Sequence, residues 1–196
     1  MSEKSIVLTK IEIQTENRNR QTVLFRWILA APVGILITLL AQSIHWGLTT
    51  VVITVPVLLT LVARGVYPSW LLSYNHAVME FGTRIAAYVF LLTDDYPSLE
   101  RNPKIAVIFP DVEGGKKLSR GLPIVKWIFA IPLFIVGAIY LVLSAISTLI
   151  AWVMTAATGR YPDFAVSIVF GTISFWNRVY GYCVALVTDD YPPFTL

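Results

Sequence analysis

The sequence predicts an all-α integral membrane protein made of two tandem repeats. Each repeat is expected to be a transmembrane helical hairpin plus an amphipathic interfacial helix, with a short β segment before it. Three observations support this prediction: an apolar composition, the gathering of apolar residues into long blocks, and landmarks that return in the same order. Of the 196 residues, 56% are hydrophobic and 14% charged, whereas soluble domains carry about 25% charged residues.

The charge balance indicates membrane orientation rather than nucleic-acid binding. The net charge is +3, and the basic residues lie at the ends of apolar segments, as the positive-inside pattern requires. Cys183 is the single cysteine in the sequence, so an internal disulfide is excluded, and its apolar surroundings favour a core residue over a reactive thiol. The first apolar block follows a polar stretch and lacks a cleavage signal, so we expect the N-terminus to be retained.

Self-comparison of the chain gives the strongest sequence observation. The opening basic-Trp-apolar-Pro pattern occurs twice, at 25–32 and 125–132, followed by an Arg/Gly-Tyr-Pro corner at 64–68 and 159–162. An Arg-x-x-x-Tyr pair follows at 84–88 and 178–182, and Thr-Asp-Asp-Tyr-Pro closes both copies at 93–97 and 188–192. The same order of landmarks predicts a duplicated unit.

The repeat sets the predicted domain boundaries. Residues 1–23 form an N-terminal cytoplasmic segment, 24–97 the first membrane repeat, 98–123 a cytoplasmic linker with a short strand, and 124–196 the second repeat. The linker carries glycines and basic residues typical of a solvated turn. The β-branched stretches 11–13 and 105–109 could pair as strands, although two strands alone are marginal.

The apolar blocks are interpreted as spans. Residues 24–42 reach about 28 Å as a helix, close to the hydrocarbon thickness of about 30 Å, and a second run from 48 to 63 follows a polar break at 43–47. In the second copy, 127–157 has no polar break. It is either one long tilted helix or two spans with a turn near 144–148, and the repeat favours the hairpin.

The third segment of each copy is expected to be an amphipathic helix in the interface. In 69–93, helical spacing places Ser69, Ser73, His76, Glu80 and Arg84 on one polar stripe. Burying Glu80 and Arg84 at the bilayer midplane would cost about 2.5–3.5 kcal/mol each. The corresponding segment 163–187 is less polar and could tolerate burial, so six spans remain an alternative to four.

Four spans place the N-terminus, Arg64, the linker, Arg160 and the C-terminus on one side, which the positive-inside rule makes cytoplasmic. The charge distribution therefore predicts several passes with both termini cytoplasmic; the bacterial inner (cytoplasmic) membrane as the location is what the family resemblance described below implies.

The doubled Thr-Asp-Asp-Tyr-Pro element is the best candidate site. Asp94, Asp95, Asp189 and Asp190 could bind a cation or act in acid/base chemistry if the repeat brought them together. The alternative, which we favour, is structural: Asp ends a helix, Pro prevents its continuation and Tyr lies at the lipid boundary.

The repeated basic and aromatic residues are candidate contacts with lipid or a partner. Arg84 and Arg178 could hold a lipid phosphate or a carboxylate, although an ion-paired structural role is favoured. Arg64 and Arg160 lie in the Tyr-Pro corners. The predicted interface anchors are aromatic residues at segment ends: Trp27, Trp46, Tyr67, Tyr96, Trp127, Tyr161 and Tyr191.

Enzymatic signatures are weak in this sequence. Phosphate loops, nucleophile elbows, metalloprotease helices and cysteine pairs are absent. Haem ligation by His45 and His76 would need both to face one cavity. We therefore predict no cofactor and no metal.

The basic-Trp-apolar-Pro opening, the T-G-R-Y-P corner at 158–162, Arg178, Tyr182 and the L-x-T-D-x-Y-P-P-F ending at 186–194 resemble a bacterial membrane family known as a domain of unknown function, number 4389. Residues 125–196 carry the resemblance best. The first copy departs from it at 64–66 and at Ser98. The resemblance implies a membrane location and supplies no activity.

Three functional hypotheses follow. The first is a non-catalytic membrane scaffold or accessory subunit that packs against itself or other membrane subunits, binds lipids at the interface and does not bind nucleic acid; small residues such as Gly137 and Ala138 would permit close helix packing. The second is a small transporter or lipid-handling protein using Arg84, Arg178 and the Asp pairs. The third is a lipid-modifying enzyme with a metal on the Asp pairs.

Overall fold

The computed structural model describes residues 5–35 and 46–196, with the side chains of 46–53 outside the described set. The elements in chain order are β1 (Leu8–Ile11), α1 (Arg20–Leu24), α2 (Arg26–Leu29), α3 (Trp46–Arg64), α4 (Ser69–Val89), β2 (Ile105–Ile108), a 3-10 turn (Glu113–Gly115), α5 (Leu122–Thr158) and α6 (Asp163–Cys183). The described protein is therefore mostly helical, with a small antiparallel sheet.

The longest helix is α5, which runs without interruption for 37 residues. Pro123 lies in its first turn, where a proline costs no hydrogen bond, and Gly159 ends it in the left-handed conformation with φ 75°. The predicted turn at 144–148 is wrong, since Ser144, Ser147 and Thr148 are buried within the helix. These small polar residues allow close approach to α6 rather than breaking the chain.

Helix α6 packs along α5 over most of its length. The Ser144 hydroxyl donates to Thr172 Oγ1 at 2.7 Å, and Trp127 Nε1 donates to the carbonyl oxygen of Cys183 at 2.9 Å. Because Thr172 precedes Cys183 while Ser144 follows Trp127, the two helices are antiparallel. Gly137 provides space for Trp176, since a Cβ at Gly137 would lie 2.6 Å from the indole.

The strands β1 and β2 pair antiparallel, with Leu8 opposite Ile108 and Ile11 opposite Ile105. Pairing of the two β segments is thus confirmed, although β1 begins and ends earlier than the expected 11–13. The sheet packs against α6: Asn177 Nδ2 donates to Thr9 Oγ1 at 2.9 Å. Helix α4 also contacts the sheet, through the ring of His76 and the carbonyl oxygen of Val107 at 2.6 Å.

The tandem-hairpin fold class is wrong. Within the described residues, α5 is the helix that is both long and apolar enough to cross a membrane. In the first half, the chain bends at Phe25 between the short α1 and α2, and the part of α3 whose side chains are described, Thr54–Arg64, is shorter than a span. Residues 43–45 of the predicted polar break at 43–47 lie outside the described residues. So do residues 36–42 of the predicted span 24–42.

The third segments are helices, but they are not interfacial. Helix α4 directs His76 toward β2 and Glu80 toward Arg101, in the segment before β2, and α6 is mostly buried between the sheet and α5. Neither the four expected spans nor the alternative of six is found in the described residues, so the prediction of a multi-pass protein is unsupported.

Candidate functional site

The first Thr-Asp-Asp-Tyr-Pro element is held by buried cations. Arg26, 0% exposed, pairs with Asp94 through Nη2 and donates from Nη1 to the carbonyl oxygen of Thr93 at 3.2 Å. Arg18 Nη2 lies 2.9 Å from the same Asp94 oxygen, and the Arg26 guanidinium lies 4.1 Å from the centre of the Tyr88 ring. One carboxylate thus pairs with two buried guanidinium groups.

The second element has the same type of partner. Lys126 Nζ lies 2.7 Å from Asp189 Oδ1 and donates to the carbonyl oxygen of Thr188 at 2.8 Å. It also lies 5.2 Å from the centre of the Tyr182 ring. The backbone N–H of Ser119 donates to Asp189 Oδ2 at 2.5 Å, as that of Asn19 does to Asp94 Oδ2 at 3.2 Å.

The second aspartate of each element makes contacts closer to the protein surface than the first. Asp95 pairs with Lys104 at 2.9 Å at the surface, and Asp190 accepts the backbone N–H of Ser5 at 2.6 Å. In both elements the threonine hydroxyl accepts the N–H two residues on, at 3.1 Å. These contacts favour the structural interpretation of the motif.

The two elements lie near opposite ends of α5. Asp94 contacts Arg18, whose N–H donates to the carbonyl oxygen of Gly159 just after the helix. Asp189 contacts Ser119, three residues before the helix begins. A helix of this length extends about 55 Å, so the four aspartates do not form one site. Nor does the described part of the chain contain a group of three or more His, Cys, Asp or Glu side chains able to hold a metal ion.

The two Tyr-Pro corners connect the two halves of the chain. Tyr67, 3% exposed, donates from its hydroxyl to the carbonyl oxygen of Ala185 at 2.6 Å. Tyr161, 0% exposed, donates to that of Phe90 at 3.0 Å. Burial raises the pKa of both phenols. Tyr67 and Tyr161, predicted to be interface anchors, are thus buried residues whose hydroxyl groups donate to the opposite half of the chain.

The other predicted anchors differ in exposure. Trp27 and Tyr96 are 56% and 48% exposed, while the exposed Trp127 and the partly exposed Tyr191 donate to backbone carbonyl oxygens of Cys183 and Phe129. Trp46 begins α3, and its side chain lies outside the described residues. Exposed aromatic side chains near an apolar surface fit an interface, but this role stays a prediction.

The four predicted arginines lie in different environments. Arg64 is exposed at the end of α3, and Arg160 makes a surface ion pair with Glu16 at 3.6 Å. Arg178 Nη2 donates to the carbonyl oxygen of Thr195. Arg84 is 4% exposed and its nearest carboxylate is Glu80, at 4.0 Å. The expected pairing of Arg84 and Arg178 with the Thr-Asp-Asp-Tyr-Pro carboxylates is absent from the described ion pairs.

Helix α5 exposes large apolar side chains and buries several polar ones, which is the opposite of a helix at the surface of a soluble protein. Its buried residues include lysine, serines, threonines, alanines and a glycine: Pro123, Lys126, Ala130, Leu133, Gly137, Ser144, Ser147, Thr148, Ala151 and Thr155. Its exposed large residues are all apolar: Ile124, Trp127, Ile128, Phe129, Ile131, Phe134, Ile135, Ile139, Leu141, Val142, Leu143, Ile146, Leu149, Ile150, Val153 and Met154. We call this second set the outer face of α5.

Sequence reasoning missed the partners of the aspartates. Arg26 and Lys126 were landmarks of the repeat, yet their role as buried counter-ions was not predicted. The signal was present, because a basic residue followed by a long apolar run must find a carboxylate or reach water. Arg18 and Arg101, outside the repeated landmarks, gave no comparable signal.

The chain thus carries, in its second half, a helical unit in which an apolar helix of 37 residues packs on a shorter one that ends in a Thr-Asp-Asp-Tyr-Pro element. Residues 123–195 match the model of the family described as a domain of unknown function (DUF4389), which confirms the resemblance for this part of the chain. The match does not extend to the first half, so it does not show a duplication. Comparison with curated proteins and with solved structures finds no match.

Proposed function

We propose that this protein is a non-catalytic, membrane-associated scaffold or accessory subunit that places the outer face of α5 in lipid. The observation that carries the proposal is the division of α5 into a buried side of mostly small or polar residues and an exposed side of large apolar residues. Each large apolar side chain removed from water contributes about 1.5–3 kcal/mol. A continuous face of such residues is far larger than the apolar patches that soluble monomers tolerate.

The position of the sheet supports an orientation of α5 along the membrane. Thr9 of β1 contacts Asn177 of α6, and its neighbour Trp176 packs against Gly137 of α5. The sheet therefore lies beside the middle of α5, with α6 between them. If α5 crossed the bilayer, β1 and the exposed Lys10 would lie at the depth of the hydrocarbon.

Hydrocarbon cannot satisfy the open edge of a small sheet, and lipid-exposed sheet edges do not occur at that depth. An α5 that lies in the plane of the interface avoids this cost: its outer face enters the acyl region while α6 and the sheet remain on the aqueous side. Exposed cations near both ends of the helix, Lys116 and Lys117 at one and Arg20 and Arg160 at the other, suit the negative surface of an anionic membrane.

A non-catalytic role is supported by the use of the acidic groups. Asp94 and Asp189 are bound to buried cations, and their partners include backbone N–H groups. A carboxylate engaged in this way is a poor general base or metal ligand. The proposed partners are membrane lipids and further membrane subunits or a second copy.

Labels at three points on α5 test the orientation. Cysteines would replace Ile128, Val142 and Val153, which share the outer face, in a Cys183→Ser background; a cysteine at Leu8, 51% exposed in the sheet, is the control. After spin labelling in vesicles of neutral and anionic lipids, depth is measured by accessibility to oxygen and to a polar nickel complex. We expect similar shallow depths at the three α5 positions and an aqueous environment at Leu8.

Two outcomes would contradict the proposed orientation or location. A crossing helix would give labels at Ile128 and Val142 whose depths differ by about 20 Å, because each residue advances 1.5 Å along the axis. Failure of the unlabelled protein to float with vesicles would remove the membrane proposal itself. The scaffold role is tested separately by purification from native membranes in mild detergent, where recovery only as a lone monomer would contradict it.

A further inference from the structure

A large open pocket lies on the side of α4 that faces the sheet. Its volume is about 1190 Å³, and it is bounded by α4 and by the segment 99–112, which includes β2. Most of its wall is apolar, with Leu72, Val78, Phe81 and Phe109 among the lining residues. The charged side chains of Glu80, Arg84, Arg101 and Asp111 and the imidazole of His76 also line it, so the pocket combines an apolar body with a charged region.

Arg84 is the unsatisfied group in this pocket. Its side chain is 4% exposed, and its Nε and Nη1 atoms have no hydrogen-bond partner among the described residues. Glu80, at 4.0 Å from Nη1, is beyond hydrogen-bond distance. A buried guanidinium that lacks acceptors is destabilising, and a ligand anion in the pocket would supply them.

The other buried or half-buried arginines provide a comparison. Arg26 and Arg18 bond to Asp94 and to backbone carbonyl oxygens. Arg178, at the position corresponding to Arg84 in the second half, donates to the carbonyl oxygen of Thr195. Some nitrogens of these three arginines also lack a hydrogen-bond partner, but each of the three side chains donates to at least one oxygen of the chain. Arg84 makes no hydrogen bond to a described residue.

The ion pairs beside Arg84 also favour an anion. Glu80 lies 3.4 Å from Arg101 Nε and 4.0 Å from Arg84 Nη1, so one carboxylate faces two guanidinium groups. Asp111, the other carboxylate that lines the pocket, accepts the backbone N–H of Glu113 at 2.9 Å. His76 Nε2 donates to the carbonyl oxygen of Val107 at 2.6 Å, and its Nδ1 lies 3.4 Å from Arg101 Nη2. The pocket lining as a whole is balanced in charge, and the excess of guanidinium groups is local to Glu80.

We infer that this pocket binds an anionic amphiphile, whose phosphate head accepts hydrogen bonds from Arg84 and Arg101 and whose alkyl chain lies along the apolar wall of α4. Guanidinium groups bind phosphate through paired N–H donors, and the apolar lining provides the remaining contact area. This inference rests on Arg84 and its pocket and is independent of the orientation of α5.

The probes are hexyl phosphate, inorganic phosphate and hexanol, which separate the contributions of head and chain. Binding to the full-length protein in a neutral detergent is measured by titration calorimetry at low salt. We expect hexyl phosphate to bind at least about tenfold more tightly than inorganic phosphate, and hexanol more weakly than hexyl phosphate. Equal affinity for hexyl phosphate and inorganic phosphate would overturn the proposal of an amphiphilic ligand and would indicate a site for free phosphate.

Matched variants identify the residues. Arg84→Gln should weaken hexyl phosphate binding about tenfold or more, while Arg178→Gln, at the corresponding position, should leave it unchanged. Arg101→Gln changes a side chain that is 78% exposed, so it preserves folding even where Arg84→Gln does not, and should weaken binding about threefold to tenfold. The inference would be overturned if Arg101→Gln kept its affinity for hexyl phosphate and Arg84→Gln either kept its affinity too or failed to fold.

Discussion

The hydroxyl of Tyr161 lies 3.0 Å from the carbonyl oxygen of Phe90, a residue 71 positions earlier in the chain. Tyr67 makes the converse contact with Ala185. Each half thus supplies a buried phenol to a backbone carbonyl just after the last long helix of the other. Stability of either half is expected to depend on both contacts.

Removal of the Tyr161 hydroxyl tests this dependence. Tyr161→Phe keeps the ring but leaves the carbonyl oxygen of Phe90 without its donor, so the free energy of unfolding should fall by about 1–3 kcal/mol. Tyr96→Phe is the control, because Tyr96 is 48% exposed and should change stability little. Thermal unfolding in detergent measures both, and equal melting temperatures would contradict the role of the contact.

Asp94 and Asp95 are neighbours whose substitutions should differ sharply. Asp94→Asn removes the charge that balances buried Arg18 and Arg26, and loss of one partner of a buried pair costs about 3–5 kcal/mol. Asp95→Asn breaks only an exposed pair with Lys104, where solvent screens the charges, so little change is expected. Chemical denaturation of both variants gives the comparison, and similar midpoints would show that Asp94 is not needed as a counter-ion.

Cys183 should be unreactive in the folded protein. Burial raises the pKa of its thiol from 9.0 to about 11, because the thiolate loses hydration. At pH 8 the thiolate fraction is therefore about 100-fold smaller than for an unperturbed thiol, and the side chain is 3% exposed. Labelling with iodoacetamide should be slow, should accelerate as the pH approaches 11, and should become rapid after denaturation. Rapid labelling of the native protein at pH 8 would refute the burial.

Two glycines in long helices should respond in opposite directions to alanine. A Cβ at Gly137 would lie 2.6 Å from the Trp176 ring, so Gly137→Ala should separate α5 from α6 and cost about 1–3 kcal/mol. At Gly82 a Cβ would meet none of the described atoms within 4 Å. There the alanine should stabilise α4 by about 0.5–1 kcal/mol. Opposite shifts in melting temperature are expected, and a stabilising Gly137→Ala would contradict the close packing.

The sequence identified the apolar helices and the strand pairing but not their arrangement. Hydropathy measures how apolar a segment is, and the same score fits a helix that crosses a bilayer, lies along it or turns within it. The sequence allows either one long helix or a turn near Ser144 and Thr148, and the repeat favours the turn. Small polar residues at these positions are equally suited to close helix contact. The choice depended on α6, which covers them.

The candidate site shows the same limit. Tyr67 and Tyr161 are residues of the type that lies at membrane interfaces. Their role as internal hydrogen-bond donors depends on the positions of Ala185 and Phe90. The role of Arg26 and Lys126 could have been predicted from the cost of burying an unpaired charge. The open environment of Arg84 could not, since it depends on where the segment 99–112 lies relative to α4.

The bond from Tyr67 to Ala185 also constrains the order of assembly. A ribosome makes the acceptor 118 residues after the donor, so the first half leaves the exit tunnel with a buried position still unfilled. The corner at 64–68 stays incomplete, shielded by lipid or by a chaperone, until nearly all of α5 and α6 has emerged from the ribosome. The native contacts are therefore completed late in synthesis. Truncated chains that stop before residue 185 should fold poorly and be recognised by the cellular quality-control machinery.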